Sequence, residues 1–219
     1  MAHRDEIVAF LNSYLQIDQF QDYGPNGWQV SGCEEVGRVA LGVSANMEFF
    51  RQSASWGAQM LIVHHGLIWG ELKRIDLTLN RRLKFLYQRD LTLLAYHLPL
   101  DAHREIGNNV LLAKRARWEI LGHFGQQNIG VLAKDGNRRV AVISGAGHEE
   151  FSTAVAQGID EFVTGEGREP LYYLAQENNV KLTTLGHYAS ETLGIQALGP
   201  LLSREFRVQV RFIDVPNPF

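Results

Sequence analysis

The chain has 219 residues, enough for one large domain or two small, tightly joined ones. Its 21 basic and 24 acidic residues give a formal net charge of −3, which excludes a strongly basic nucleic-acid-binding composition but not a local basic patch. The single cysteine, Cys33, excludes an internal disulfide and a thiolate-rich zinc or iron–sulfur site. Because eight histidines are present, a metal in this protein would have to be bound by histidine and carboxylate side chains.

The first residues predict a surface helix rather than a targeting segment. Residues 1–16 carry charged side chains early and then apolar side chains at helical spacing, without the apolar core of a signal peptide. The longest apolar runs, such as 61–63 and 91–96, are far shorter than the roughly 20 residues that span a bilayer. We therefore expect a cytoplasmic protein with no membrane association.

Apolar runs alternate with amphipathic segments along the rest of the chain. The runs predicted as strands are 28–30, 38–44, 60–63, 91–96, 129–133, 139–144, 161–163, 181–184 and 208–213. The segments predicted as helices are 47–56, 80–89, 105–115, 148–157, 169–177 and 190–206. Ser44 is the expected N-cap of the helix at 47–56, and Gly57 its C-terminal stop. The alternation predicts an α/β fold with mixed sheets covered by helices.

The strands and helices fall into two sets of similar order, which predicts two related lobes. The expected seam lies near 122–127, where glycine, glutamine and asparagine cluster. We place lobe one, with most of the candidate metal ligands, in residues 1–121 and 185–219. The smaller second lobe takes residues 122–184.

Two adjacent histidines follow a predicted strand. His64 and His65 come directly after the apolar run 61–63, and ligand sites in α/β folds tend to lie at the carboxyl ends of strands. Adjacent residues within a regular strand point to opposite faces, but Gly66 permits a bend that turns both imidazoles toward one region. Adjacent ligands suit a pair of metals, one histidine to each. The alternative is two ordinary loop histidines.

A second polar group follows the predicted strand at 91–96. His97, Asp101 and His103 fall within seven positions, and Asp101 can supply a carboxylate oxygen to a metal. His97 or His103 can ligate a metal, act as an acid or base, or orient a ligand. The alternative is a polar loop without a site.

The third candidate pair is His187 and Glu191. Their i, i+4 spacing on a helix stacks both side chains on one face, with Cβ atoms about 5–6 Å apart. Such a pair suits two metals at roughly 3.5–4 Å with the carboxylate bridging them. The same spacing is common on solvated helices, and Ser190 is a fair N-cap, so a helix that starts after His187 is the alternative.

Taken together, these positions supply three imidazoles and two carboxylates. The set is His64, His65, Asp101, His187 and Glu191. Nitrogen and oxygen ligands of these types suit zinc, manganese, iron or nickel. Five ligands are too many for one open catalytic ion, but they suit two divalent ions that share a bridging carboxylate and a bridging water.

A series of motifs carries a resemblance to a known family from about residue 20 to the C-terminus. The motifs are DYGPNGWQV at 22–30, VHHG at 63–66, HLPLDAH at 97–103, GNN at 107–109, TGE at 164–166, GHYASE at 186–191 and FIDVPNP at 212–218. In this order they resemble the NIF-three-like family, many of whose members are named type 2 GTP cyclohydrolase I homologues. The family often has a second histidine where this chain has Tyr188, and some relatives are longer within 122–139.

The resemblance implies two interlinked α/β lobes, a dinuclear metal site in the cleft between them, and a ring-like homohexamer. The implied ligands are the same five residues, His64, His65, Asp101, His187 and Glu191. His97 matches a family histidine close to the metals, and Glu166 matches an acidic residue expected to line the cleft. Because Tyr188 is not an expected ligand, it affects the expected substrate contacts and not the metal site.

Three further features have both a structural and a functional interpretation. The glycine-rich turn at 142–147 suggests a phosphate contact, but Glu150 stands where a third glycine would be, which favours a structural turn. Trp69 is either a packing residue or a wall of the cleft that stacks on a base. The basic run at 81–84 is either an exposed helix face or a contact for nucleic-acid phosphate.

These observations predict a hydrolase with two divalent ions per chain. A water that bridges the metals would attack the substrate, and His97 or Glu166 would pass a proton to the leaving group. A nucleotide such as GTP as the small-molecule substrate follows from the resemblance alone. The alternative is a non-enzymatic metal-binding or regulatory ring that acts through protein partners. The net negative charge disfavours a third alternative, a binder of single-stranded nucleic acid.

Overall fold

The computed structural model describes residues 1–70 and 72–219, which form two compact units. Unit 1 comprises Met1–Leu100 and Ile195–Val215, and unit 2 comprises Asp101–Gly194 and Pro216–Phe219. The two units are interlinked, because the chain leaves unit 1 for unit 2, returns, and ends in unit 2. The mixed α/β architecture with two sheet-containing lobes confirms the predicted fold class.

In the first part of the chain, the described residues form three helices and six strands. In chain order they are β1 (Ala2–His3), α1 (Arg4–Tyr14), β2 (Gly27–Val30), β3 (Glu35–Val36), β4 (Arg38–Ser44), α2 (Met47–Trp56), β5 (Met60–His65), α3 (Leu77–Gln88) and β6 (Thr92–Ala95).

The remainder continues the alternation. Its elements are α4 (Leu98–Asp101), α5 (Asn108–Arg115), β7 (Glu119–Phe124), β8 (Gly130–Asp135), β9 (Arg138–Ile143), α6 (Phe151–Val155), β10 (Glu161–Thr164), α7 (Glu169–Glu177), β11 (Lys181–Thr184), α8 (His187–Ser190), α9 (Thr192–Phe206) and β12 (Gln209–Phe212). Short 3₁₀ turns lie at Ile17–Gln19, Gln126–Asn128 and Gly147–Glu150.

Unit 1 is built on a five-stranded sheet in the order β12–β4–β5–β6–β2. The first four strands run parallel and β2 runs antiparallel to β6. Strands β5 and β6 are apolar and buried along most of their length, because parallel strands are covered on both faces. The register pairs Ser44 with His65 and Val63 with Ala95, so the carboxyl ends of β4, β5 and β6 lie at one edge of the sheet.

Unit 2 has its own five-stranded sheet in the order β11–β10–β9–β8–β7. Strands β9, β10 and β11 are parallel, and β7, β8 and β9 are joined antiparallel. Alternate residues of these strands pack into two different apolar clusters, one with α6 and α7 and the other with α5. This period of two is what a sheet covered on both faces requires.

The boundaries of unit 2 differ from the lobe expected at 122–184. Residues 101–121 belong to unit 2, because α5 packs on β7, β8 and β9 and β7 pairs with β8. The seam expected near 122–127 therefore falls on β7 and the turn that follows it. The sequence did not reveal β7, because this end strand is only partly buried and contains Gly122 in its middle.

Several local predictions are confirmed and others need correction. The strand 38–44, the helix 47–56 and the C-terminal stop at Gly57 (φ 80°) agree with the structure. The N-cap of α2 is Asn46 rather than Ser44, since the Asn46 side chain accepts a hydrogen bond from the Phe49 N–H at 2.9 Å. The helix expected at 148–157 is a 3₁₀ turn followed by α6, whereas the helix expected at 190–206 is confirmed as α9, which begins at Thr192. Among the described residues, none of the helices combines the length and the apolar character that a membrane crossing requires.

Candidate metal centre

Three imidazoles meet at the carboxyl edge of the unit 1 sheet. His64 and His65 end β5, and His97 follows the neighbouring strand β6. Their ligand-competent nitrogens lie within 4.8 Å of one another. The ring centroids of His64 and His97 are 5.0 Å apart, and those of His64 and His65 are 4.7 Å apart. The structure therefore brings both histidines of the double motif to the side of His97.

The orientation of His64 is determined by the backbone of the next strand. Its side chain is fully buried, and Nδ1 lies 2.9 Å from the carbonyl oxygen of Tyr96. Because a carbonyl oxygen only accepts, Nδ1 carries the proton and Nε2 is the nitrogen that can ligate a metal. His65 is half-buried, and its Nδ1 lies 3.4 Å from the Ser44 hydroxyl at the end of β4.

A buried carboxylate orients His97. Nδ1 of His97 lies 2.7 Å from Oδ1 of Asp22, whose side chain is 2% exposed. Asp22 Oδ2 accepts hydrogen bonds from the Leu98 N–H at 2.9 Å and from Asn26 Nδ2 at 2.8 Å. Burial acts to raise the pKa of Asp22, but the hydrogen bond and the charge of His97, with these donors, lower it below its usual value. Asp22 is thus a site residue that the sequence identified only as the first residue of the motif at 22–30.

In unit 2, a hydrogen-bond network holds Asp101 in place. Oδ1 of this buried carboxylate accepts hydrogen bonds from Asn108 Nδ2 at 2.7 Å and from the Ser144 hydroxyl at 3.0 Å. The amide of Asn109 accepts a hydrogen bond from the Ser144 N–H at 2.6 Å. The sequence quoted Asn108 and Asn109 only as part of a motif, and it did not single out Ser144. The feature of the sequence that could have indicated this network is the pair Asn108 and Asn109 directly after Gly107.

His187 and Glu191 lie side by side at the end of α8. His187 is the first residue of this short helix and Glu191 its C-cap, with His187 Nε2 3.2 Å from Glu191 Oε1. His187 Nδ1 lies 2.5 Å from Glu166 Oε1. A short helix therefore begins at His187, and the long helix α9 starts after it, at Thr192, as the alternative had it. The i, i+4 contact between His187 and Glu191 is confirmed.

Two carboxylates surround His187 and change its protonation. The hydrogen bond to Glu191 raises the pKa of His187 to about 9, against the opposing effect of burial and with further help from Glu166. In the protein without metal, both ring nitrogens of His187 are therefore protonated at neutral pH. A metal ion bound at Nε2 would displace the proton on that nitrogen. Glu166 orients the imidazole through Nδ1, which is the way that carboxylates support metal-ligating histidines.

The turn after β9 leaves room for Glu191. Gly145 has φ 59°, and a Cβ atom added there would overlap the Glu191 carboxylate oxygen. The Gly145 N–H donates to the Ser190 hydroxyl at 3.0 Å, and the Gly147 N–H donates to the Thr164 hydroxyl at 3.1 Å. Since both N–H groups are used within the protein, the glycine-rich turn is structural, as the position of Glu150 indicated.

Each unit thus collects some of the predicted site residues. Unit 1 brings His64 and His65 together with His97, and unit 2 brings His187 together with Glu191 and Glu166. Asp101 lies in unit 2 in its own network. His103 has a different role, because its Nδ1 accepts the backbone N–H groups of Glu105 and Ile106 and so stabilises a turn. Imidazole nitrogens and carboxylate oxygens of these kinds are able to hold a divalent metal ion.

Curated relatives match almost the full length of the chain. A protein of Archaeoglobus fulgidus named GTP cyclohydrolase 1 type 2 homolog is 38% identical, over 97% of this chain and 98% of the relative. A protein of Yersinia pestis with the same name is 36% identical, over the same shares of the two chains.

Solved structures and a family model agree with these relatives. The protein ybgI, described as of unknown function, superposes with a TM-score of 0.93 at 32% identity, over 99% of this chain and 100% of that one. TTHA1606 from Thermus thermophilus superposes with a TM-score of 0.84 at 32% identity, over the same shares of the two chains. The model of the Duf34/NIF3 family (NGG1p interacting factor 3) matches residues 2–136 and 132–218. The chain belongs to the Duf34/NIF3 family.

Proposed function

We propose that this protein is a divalent-metal-dependent hydrolase of the GTP cyclohydrolase 1 type 2 kind, which acts on a nucleotide or a related small molecule. The observation that carries the proposal is the grouping of His64, His65 and His97, whose ligand-competent nitrogens lie within 4.8 Å of one another. The names of the curated relatives support the choice of a nucleotide.

The proposed ligands are the five residues expected from the sequence. They are His64, His65, Asp101, His187 and Glu191. The donor set fits zinc, manganese, iron or nickel, since it offers imidazole and carboxylate and no thiolate. We propose two ions per chain, because five ligands shared by two ions leave coordination positions open. When bound, such ions supply Lewis-acid activation of a water and of the electrophilic atom of the substrate.

His97 is proposed to move the proton. With Nδ1 held by Asp22 at 2.7 Å, Nε2 is the atom that accepts a proton from the attacking water and returns it to the leaving group. Glu166 orients the His187 imidazole through its contact with Nδ1. Proton transfer by Glu166 instead of His97 is the second proposal.

The proposal is tested by metal analysis and a hydrolysis screen on the same samples. Protein loaded with zinc, manganese, iron or nickel should retain up to two ions per chain, and Glu191→Ala should lose metal while keeping the circular dichroism of the wild type. The screen should cover nucleotides, cyclic amides and phosphoesters, with Asp101→Ala as the inactive reference. Asp18→Ala, which removes an exposed carboxylate, is the matched control and should behave as wild type.

Two results would count against the hydrolase. Absence of bound metal under metal-replete conditions would show that the proposed ligands do not form a metal site. Metal binding without turnover above Asp101→Ala on any substrate class would favour the alternative, a non-enzymatic metal-binding or regulatory ring that acts through partners. In that case Glu191→Ala should weaken assembly of the ring rather than a reaction.

We also propose that the protein forms a homohexameric ring in the cytoplasm. The support for the ring is the family resemblance. Native mass spectrometry of the full chain should give a mass six times that of the 219-residue protomer. A monomer or dimer as the main species at micromolar concentration would contradict the ring.

A further inference from the structure

Two exposed aromatic side chains stand beside the imidazole group of unit 1. Trp69 is 44% exposed and Tyr23 is 56% exposed. The Trp69 ring centroid lies 4.7 Å from that of His97 and 5.8 Å from that of His65. Tyr23 stacks on Trp69 with the centroids 6.0 Å apart and the planes 15° apart, and it also approaches His97. The two rings therefore combine a solvent-facing aromatic surface with direct contact to the candidate site.

Hydrogen bonds tie together the two loops that carry these rings. The Gly70 N–H donates to the Tyr23 carbonyl oxygen at 2.6 Å. Gln29 holds the Trp69 loop with Oε1, which accepts the Leu67 N–H at 2.7 Å and the Ile68 N–H at 3.1 Å. Nε2 of Gln29 donates to the Pro25 carbonyl oxygen in the Tyr23 loop at 3.1 Å. Rings held in this way lose little conformational entropy when a ligand binds.

Another partly exposed tryptophan of unit 1 has a different environment. Trp28 has the guanidinium group of Arg4 over its ring at 4.4 Å. Its aromatic face is thus used by a neighbouring residue of the fold. Trp69 instead places its ring against catalytic and ligand candidates, which is where a substrate would have to be held.

We propose that Tyr23 and Trp69 form a stacking platform for a flat heteroaromatic group of the substrate, of the nucleobase class. The inference rests on the proposed function, since it concerns the substrate of the same site. Aromatic side chains bind bases through their π-faces with little discrimination between bases. The platform therefore selects for a planar ring and contributes affinity, while the sugar and phosphate groups are recognised elsewhere.

The test compares two ligands that differ only in the base. Guanosine 5′-monophosphate and ribose 5-phosphate are titrated calorimetrically into the metal-loaded, full-length protein. The wild type should bind the nucleotide about 10-fold or more tightly than the sugar phosphate, in line with the loss that removal of one stacking ring causes. Trp69→Ala should lose most of this difference, Tyr23→Ala should lose part of it, and Trp69→Phe should keep most of it. Adenosine and cytidine monophosphates should follow guanosine monophosphate.

The matched control is Tyr172→Ala, which removes a tyrosine of similar exposure from α7 of unit 2. It should leave both affinities unchanged. Equal affinities of the wild type for nucleotide and sugar phosphate would overturn the platform, as would a preference that survives in both Trp69→Ala and Tyr23→Ala.

Metal content separates this inference from the proposed function. Trp69→Ala should bind as much metal as the wild type, because neither ring offers a metal ligand. A wild type that binds no metal but shows a base preference that depends on Trp69 would refute the hydrolase and keep the platform. A metal-loaded, active protein without base preference would support the hydrolase and refute the platform.

Discussion

Asp22 binds both the side chain of His97 and the backbone of the residue after it. Oδ1 lies 2.7 Å from His97 Nδ1, while Oδ2 accepts the Leu98 N–H at 2.9 Å. Asn26 donates to the same carboxylate and accepts the His97 N–H at 2.8 Å. The loop before β2 therefore fixes both the position and the tautomer of the imidazole. With Nδ1 bound to Asp22, Nε2 is the nitrogen left for the proposed proton transfer.

Asp22→Asn should lower activity more than it lowers stability. The amide cannot accept hydrogen bonds on both sides, so one donor among His97, Leu98 and Asn26 is left facing an NH₂ group. We expect kcat/KM to fall by about 10- to 100-fold, the range found when partners of site histidines are removed. The free energy of unfolding should fall by about 1–3 kcal/mol, the cost of leaving a buried polar group unsatisfied.

The measurements are steady-state kinetics and urea unfolding at pH 7. Asp18→Asn, on an exposed carboxylate in the turn after α1, is the control and should change neither quantity. An Asp22→Asn protein with wild-type kinetics would show that Asp22 has only a structural role in its loop.

Gly145→Ala should weaken metal binding because the new methyl group takes the space of the Glu191 carboxylate. The same change at Gly136 offers a matched control, since Gly136 has the same φ of 59° but nothing within 4 Å of an added Cβ atom. Both variants bear the backbone strain of a left-handed residue, about 1–2 kcal/mol. Only Gly145→Ala should also lose metal affinity, by 10-fold or more, in a competition assay with a chelator. Equal metal affinities of the two variants would contradict this placement of Glu191.

Asn108→Ala should weaken both unit 2 and its metal affinity. The fully buried amide donates to Asp101 at 2.7 Å and accepts the Gly194 N–H at 2.7 Å, so its removal leaves two buried groups without their partner. We expect a loss of about 1–3 kcal/mol in the free energy of unfolding. Metal affinity should fall by about 10- to 100-fold as Asp101 loses its orientation.

Chemical unfolding and chelator competition measure these two effects. Asn178→Ala, which removes an exposed amide at the end of α7, is the control and should change the stability by less than about 0.5 kcal/mol. A destabilised Asn108→Ala protein that binds metal like the wild type would mean that Asp101 does not depend on this amide.

The sequence predicted the ligand-bearing strand ends well, and a physical reason explains this. Strands β5 and β6 are buried on both faces and therefore read as short apolar runs that end at polar residues, namely His64 and His97. The double histidine was visible for the same reason. The His187–Glu191 pair was visible from its i, i+4 spacing instead, because the strand before it, β11, is polar and only partly buried.

The supporting residues could not be predicted, because they come from distant segments. Asp22 is 75 positions from His97, and Ser144 is 43 positions from Asp101. Their polar character is ordinary for turns and strand ends, and only the tertiary fold gives them partners. The missed strand β7 has a similar cause, as its pattern of partial burial at the end of a sheet carries little signal.

The stability of unit 2 at low pH should depend on Glu161. This carboxylate at the start of β10 is 4% exposed and accepts hydrogen bonds from Thr183 Oγ1 at 2.6 Å and Lys181 Nζ at 2.9 Å, with Arg138 at 3.0 Å. Burial acts to raise the pKa of Glu161, but the hydrogen bonds of Thr183 and Lys181 and the two cations outweigh it and lower the pKa. The charged carboxylate therefore stabilises the fold at pH values above the ordinary glutamate pKa.

Glu161→Gln should be less stable than the wild type at pH 7 by about 1–3 kcal/mol, the scale of a hydrogen bond to a charged group. A lowered pKa means that this difference is complete above about pH 4.5 and declines as the pH falls through the lowered value, where the wild-type carboxylate is protonated too. Urea unfolding of metal-free protein between pH 3 and pH 7 measures the difference. Glu177→Gln, at an exposed position at the end of α7, should show no pH-dependent difference. A gap between Glu161→Gln and wild type that widens toward low pH would contradict the stabilising role of the Glu161 charge.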